Sequence, residues 1–305
     1  MIINSATLNG IKTSFNVIFN KAFAEAPSQY KEIAMDVPST AAENTYAWLG
    51  MTTKFREWIG DRVIQNLETH GYTIRNKKFE NTVGVSEDDI EDDNLGVYTP
   101  LVQNLGYDAK VHPDELVFGL LEKGTDNKCY DGQYFFDTDH PVGKEKKSVS
   151  NFYTGSKPAW YLIDASRPVK PIVFQKRKDY RFQAITDSKS EIVFKEGKYL
   201  YGVDARVNAG YALWQMAACS KEELTQANFT KVYQNMCALK ADNGKALAIK
   251  PTILLVSPTN FIKANELITS DRLANGESNP IKNLVKVVMC PFLSEIGRAS
   301  CRERV

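Results

Sequence analysis

Residues 160–175 read WYLIDASRPVKPIVFQ. Two short apolar runs, Trp160–Ile163 and Pro171–Phe174, flank a polar, proline-containing link, and both read as β-strands. Working outward, Tyr199–Val203 and Pro251–Val256 (PTILLV) give further strand signals, and so do Ile192–Phe194 and Leu284–Phe292. Val207–Ala218 (VNAGYALWQMAA) fits either a strand or a short helix. Gly71–Val85 (GYTIRNKKFENTVGV) alternates, slips one place near Asn76–Lys78, and so predicts one or two extended strands with a bulge or turn.

Helices interleave with these strands. Phe15, Ile18, Phe19, Ala22 and Phe23 share one face of a helix over Ile11–Ala24, which Pro27 ends. Val97–Lys123 predicts a long helix, interrupted or kinked near His112–Pro113 and closed by Gly124. Ser220 with Glu223 forms a capping box for a helix to about Leu239, and Thr259 opens another to about Ile268. Cys129–Val142 is turn-rich, with Phe135 and Phe136 as core candidates, and Gly143–Gly155 reads as a loop. The sum is an α+β chain with no internal repeat and no regular βαβ alternation.

Composition narrows the function. The chain has 305 residues, 43% hydrophobic and 25% charged, with a formal net charge of +1. Nothing in that balance draws it to nucleic acid or a membrane. No signal-peptide h-region and no run of 18 apolar residues occurs, so neither export nor a membrane span is expected. The five cysteines form no CxxC pair and suggest buried or incidental thiols.

Catalytic motifs are missing: there is no P-loop, dinucleotide glycine motif, HExxH or GxSxG. Asp137, Asp139 and His140 (DTDH) supply oxygen and nitrogen ligands and leave a metal-dependent enzyme as an alternative, although no further cluster completes a shell. Turn capping explains the same aspartates, and no catalytic, cofactor or metal residue is assigned. Lys176, Arg177, Lys178 and Arg181 lie among Tyr180 and Phe182, a short basic stripe that Asp179 interrupts.

Two clusters look like subunit contacts. Aromatic residues crowd Tyr46–Ile59, where Arg56 and Trp58 are candidate interface anchors. Glu87–Asp93 (EDDIEDD) packs six acids into seven residues after Ser86, either a solvated helix start or a docking patch. Glu87, Asp88, Asp89 and Asp92 are its candidate contacts, opposite the basic Arg75, Lys77 and Lys78 of another subunit or of the same chain. The last ten residues, Ile296–Val305 (IGRASCRERV), resemble a sequencing adapter translated in one frame, and lost sequence is expected after the strand before them.

The strings quoted at Trp160–Gln175 and Cys129–Val142, together with PDELVFGLL (Pro113–Leu121), YGVDARVNAGYALWQ (Tyr201–Gln215) and REWIGDRVIQNL (Arg56–Leu67), closely resemble the Mu-like prophage major head subunit (gpT) family. The resemblance spans nearly all of residues 1–295. It implies an HK97-like capsid fold: an N-terminal arm and its approach over 1–50, an E-loop-like excursion over 51–86, and a spine-helix region of the peripheral domain over 87–125. The axial domain and remaining peripheral sheet would take 126–295, leaving 296–305 as the adapter-like tail. It implies a non-enzymatic major capsid protein of the virion, held in the bacterial cytoplasm before assembly. Pentamers and hexamers of the chain itself, a separate scaffolding protein and weak nonspecific contact with packaged DNA follow as partners, with no cofactor. A tail subunit is the other virion role considered.

Overall fold

The computed structural model describes residues 2–46, 71–143, 145–272 and 276–293. Arg56 and Trp58 lie outside them, as does the tail Ile296–Val305. In chain order, helix α1 (Ser5–Glu25) is followed by strands β1 (Ala34–Pro38), β2 (Glu43–Tyr46), β3 (Tyr72–Arg75) and β4 (Lys77–Ser86). Helices α2 (Glu87–Glu91) and α3 (Thr99–Glu122) come next. Strands β5 (His140–Val142), β6 (Lys147–Val149), β7 (Phe152–Tyr153), β8 (Trp160–Ile163) and β9 (Ile172–Ile185) precede a short helix, α4 (Glu191–Glu196). The chain continues through β10 (Lys198–Tyr211), β11 (Ala217–Ser220), α5 (Gln226–Cys237), β12 (Ile253–Val256), α6 (Pro258–Thr269) and β13 (Lys286–Met289).

The opening stretch divides between two sheets. β8 sits at the centre of a five-stranded sheet ordered β13-β12-β8-β11-β7. All four of its residues are buried because both faces are covered, which is why the sequence shows an unbroken apolar run. Trp160 and Leu162 join α5 and α6 residues such as Phe229, Val232 and Ile268. Tyr161 and Ile163 face the opposite core, with Phe135, Phe136 and Trp214. β9 leaves that core to enter a four-stranded sheet ordered β1-β9-β10-β4.

β9 and β10 are 14 residues each and pair antiparallel. One face of β10 (Tyr199, Tyr201, Val203) is buried under α1 and α3, and the alternate residues face outward. Phe15 meets Tyr201 edge-on at 5.0 Å between ring centroids. Helix α3 spans about 36 Å at 1.5 Å per residue and serves both cores. Its first half (Val102, Leu105, Ala109) packs with α1, and its second half (Val117, Phe118, Leu121) with the tips of both sheets.

Several local expectations change in three dimensions. Ile192–Phe194 is helical, because Ser190 Oγ accepts from Val193 N and Gly197 (φ 61°) closes the turn in the left-handed region. The Ser220–Glu223 box is not used: Thr225 caps α5 by accepting from Asn228 N, and Ser220 belongs to β11. Thr259 lies inside α6, which starts with Pro258 after Ser257. α3 is a continuous helix through Pro113. Gly124 lies one residue beyond that helix's C-cap, Lys123, and gives room to Phe136, whose Cδ2 would stand 2.3 Å from an added Cβ. The Gly143–Gly155 segment carries β6 and β7. Val207–Ala218 is mostly the end of β10 and the start of β11 around a 3-10 turn at Trp214–Met216.

Gly71–Val85 does not fold on itself. β3 pairs antiparallel with β2, so residues 43–75 begin and end as one two-stranded stem, while β4 pairs with β10 along its whole length. A buried polar knot fixes that stem to the four-stranded sheet. Gln175, fully buried on β9, donates to Ile74 O (3.1 Å) and Asn76 Oδ1 (2.9 Å) and accepts from Tyr46 Oη (2.8 Å). Asn76 donates onward to Ser39 Oγ (2.9 Å) and Ala41 O (3.0 Å), so every buried polar group of the knot finds a partner.

Candidate functional site

The charged residues expected to make subunit contacts lie at the two ends of one strand. Lys77 and Lys78 begin β4, just past Arg75 at the end of β3, and all three are exposed. The acids begin where β4 ends, at Ser86. Nine steps of about 3.3 Å put the clusters roughly 30 Å apart along an extended strand. They therefore do not pair within the chain.

The acidic turn is partly engaged locally. Asp89 accepts from Tyr98 Oη (2.5 Å) and Asn94 Nδ2 (3.2 Å), and Glu87 accepts from Tyr199 Oη (3.4 Å). Asp88 and Asp92 are exposed. Ser86 occupies the N-cap position without a side-chain capping bond, so α2 rests on its first-turn acids and its packing through the buried Ile90.

Strand register enlarges the basic end. Arg206 on β10 stands opposite Lys78 on β4 and opposite Lys178 on β9, giving a row of three cations across the outward face. Lys178 is paired with Asp204, and Arg181 Nε lies 4.0 Å from the same carboxylate. Burial acts to raise Asp204, but the bonds from Lys178 and Gln183 prevail and hold it below the usual carboxylate range. The Nε of Arg206 is buried and has no hydrogen-bond partner among the described residues. Nothing in the sequence separates Arg206 from other strand residues. Only the β4-β10-β9 pairing, with its irregularity around Arg206, assembles the row.

The other basic stripe is largely answered within the chain. Lys176 bonds Asp179 at 3.2 Å, and Lys178 and Arg181 share Asp204. That leaves no continuous cationic track along β9.

The DTDH residues do not converge as a metal-binding trio. Asp137 accepts from Tyr134 N (3.2 Å) and Thr138 N (2.7 Å), a turn-capping role. Asp139 is exposed, and the neighbouring Asp137 carboxylate raises it above its ordinary range. His140 turns inward and is fully buried, stacked on Trp214 at 3.9 Å between centroids. Its Nδ1 lies 2.7 Å from Asp131 Oδ2, and Asp131 Oδ1 lies 3.0 Å from Cys129 Sγ. Sequence reading placed His140 with the wrong acids, because the turn at Cys129–Gln133 brings Asp131 beneath the ring instead.

The model of the Mu-like prophage major head subunit gpT family matches residues 8–293. The chain belongs to the Mu-like prophage major head subunit family. The Mu-like prophage FluMu major head subunit of Haemophilus influenzae is 49% identical over 264 residues, 83% of this chain and 86% of that protein. The major capsid protein of Escherichia phage Mu is 42% identical over 306 residues, 96% of this chain and 100% of that protein. A chain from the procapsid of bacteriophage JBD30 superposes with a TM-score of 0.85 at 50% identity, covering 95% of this chain and 100% of that one. As a member of the major head subunit family, the chain has the HK97-like α+β fold. Among the described residues no helix is long and apolar enough to cross a membrane.

Proposed function

We propose that this chain is a major capsid protein that assembles with copies of itself into an icosahedral shell around phage DNA, as a structural component of the virion. The observation that carries the reading is end-to-end similarity to the phage Mu major capsid protein, 42% identity over 306 residues. The fold is suited to the task. The stem β2–β3 is held to the four-stranded sheet by the buried Gln175 knot. Residues 51–86 are the proposed E-loop, α3 the proposed spine helix, and the five-stranded sheet with α5 and α6 the proposed axial domain. Arg56 and Trp58 fall within the E-loop segment and are proposed contacts there.

In this reading the basic end of β4, Lys77 and Lys78, with Arg75 and Arg206 beside it, meets Asp88, Asp89, Asp92 and Glu87 of the next copy. Such a contact joins unlike surfaces, and rotation about one axis closes it into five- and six-membered rings. A separate scaffolding protein and weak nonspecific contact with packaged DNA complete the proposed partners. Sedimentation of the full chain co-expressed with its cognate scaffold tests the function. Uniform particles far larger than a six-membered ring are expected. Monomers at every concentration, with scaffold present, would overturn the reading.

A further inference from the structure

The hydrogen bonds around His140 leave two acceptors facing each other. Asn151, almost completely buried, donates through Nδ2 to Phe135 O (2.8 Å), Trp214 O (3.3 Å) and Ala217 O (3.1 Å), which fixes the orientation of its amide. Its Oδ1 then accepts from Asp137 N (2.9 Å) and faces His140 Nε2 at 3.2 Å. An amide oxygen only accepts, so Nε2 carries the hydrogen. In a neutral ring, Nδ1 is left as a lone pair aimed at the Asp131 carboxylate 2.7 Å away. Two acceptors face each other, a clash that a proton or a metal ion between them removes.

We propose that Cys129, Asp131 and His140 form a structural site for a divalent transition metal of the zinc class. Sγ, a carboxylate oxygen and Nδ1 lie within 4.8 Å of one another in the core. They are the sulfur, oxygen and nitrogen donors that zinc takes. Three protein donors leave the fourth position of a tetrahedral ion open. A thiolate, a carboxylate, a neutral imidazole and a divalent ion sum to zero charge, which suits a buried position. The outer supports are also present. Asn151 and Trp214 hold the imidazole, and Gln133 N donates to Asp131 Oδ1 at 3.1 Å. Insertion requires Nδ1 and the Asp131 oxygen to part by about half an ångström, because two ligand atoms of tetrahedral zinc stand roughly 3.3 Å apart.

The metal would tie the Cys129–Tyr134 turn to β5 and, through Asn151 and Trp214, to the five-stranded sheet. The inference is independent of shell assembly. Zinc bound by the purified full chain after exposure to Zn(II) and gel filtration is measured by elemental analysis, and Co(II) is used as an optical probe. One zinc per chain is expected, with a thiolate-to-cobalt charge-transfer band. Cys129→Ser, nearly isosteric, should abolish the band and weaken binding at least about tenfold. Cys237→Ser, at an exposed thiol, should leave both unchanged. Zinc below stoichiometric amounts, or a cobalt band that survives Cys129→Ser, would overturn the site. The clash is then removed by a proton shared by His140 and Asp131.

Discussion

At Gly106 a single missing methyl sets how closely two helices approach. A Cβ there would stand 2.6 Å from Phe19 O and 2.9 Å from Ala22 Cβ, so α1 lies directly against the α3 backbone. Glycine within a helix is unfavourable by propensity, but here it is the point of contact. Helix propensity favours alanine over glycine by about 1 kcal/mol, but overpacking costs about 1–3 kcal/mol. Gly106→Ala is therefore expected to lower stability by about 1 kcal/mol net. Gly119, on the same helix with nothing within 4 Å of an added Cβ, should gain up to about 1 kcal/mol from the same change. Urea midpoints of the two variants check the pair. A stabilised Gly106→Ala would show that the helices are not in contact there.

At the scale of elements, α3 is secured by Asp114, the residue after Pro113. Its buried carboxylate accepts from Ser28 Oγ (2.8 Å), Gln29 N (3.0 Å) and Tyr30 N (2.8 Å), gathering the turn after α1 onto the long helix. Asp114→Ala leaves these donors without their acceptor and should cost about 3 kcal/mol, read as a lower midpoint in chemical denaturation. A change below the error of that midpoint would mean that water replaces the carboxylate.

How far the elements were legible followed from what buries them. β8 and β12 read clearly because both faces are covered, and α1 because its apolar stripe is regular. β2 (ENTY) was hidden, since a mostly polar four-residue strand has little apolar alternation to show. Ile192–Phe194 looked like a strand because three apolar residues adjoin. Phe194 is 89% exposed, however, and the caps Ser190 and Gly197 decide the conformation. Of the candidate contacts, the acidic run and Lys77–Lys78 were visible as charge. Arg206 was not, because its place in the row depends on strand register. His140 was visible as a ligand type, but its partners depend on a turn whose path the spacing does not specify.

For the whole molecule, the separation of the basic and acidic ends of β4 makes a contact between copies testable by charge. Asp88→Lys with Asp92→Lys removes exposed acids and leaves the Asp89–Tyr98 bond in place. Assembly yield should fall several-fold at low salt and recover when Lys77→Glu and Lys78→Glu are added. The defect should shrink as salt screens both arrangements, over a Debye length near 10 Å at 0.1 M. Assembly indifferent to the substitutions at every salt concentration would remove this contact while leaving shell formation intact. The most direct test of the central claim is electron microscopy of the full chain co-expressed with its cognate scaffold. Closed icosahedral particles built from five- and six-membered rings of this subunit are the expected result. Open tubes alone, or dispersed monomers, would contradict it.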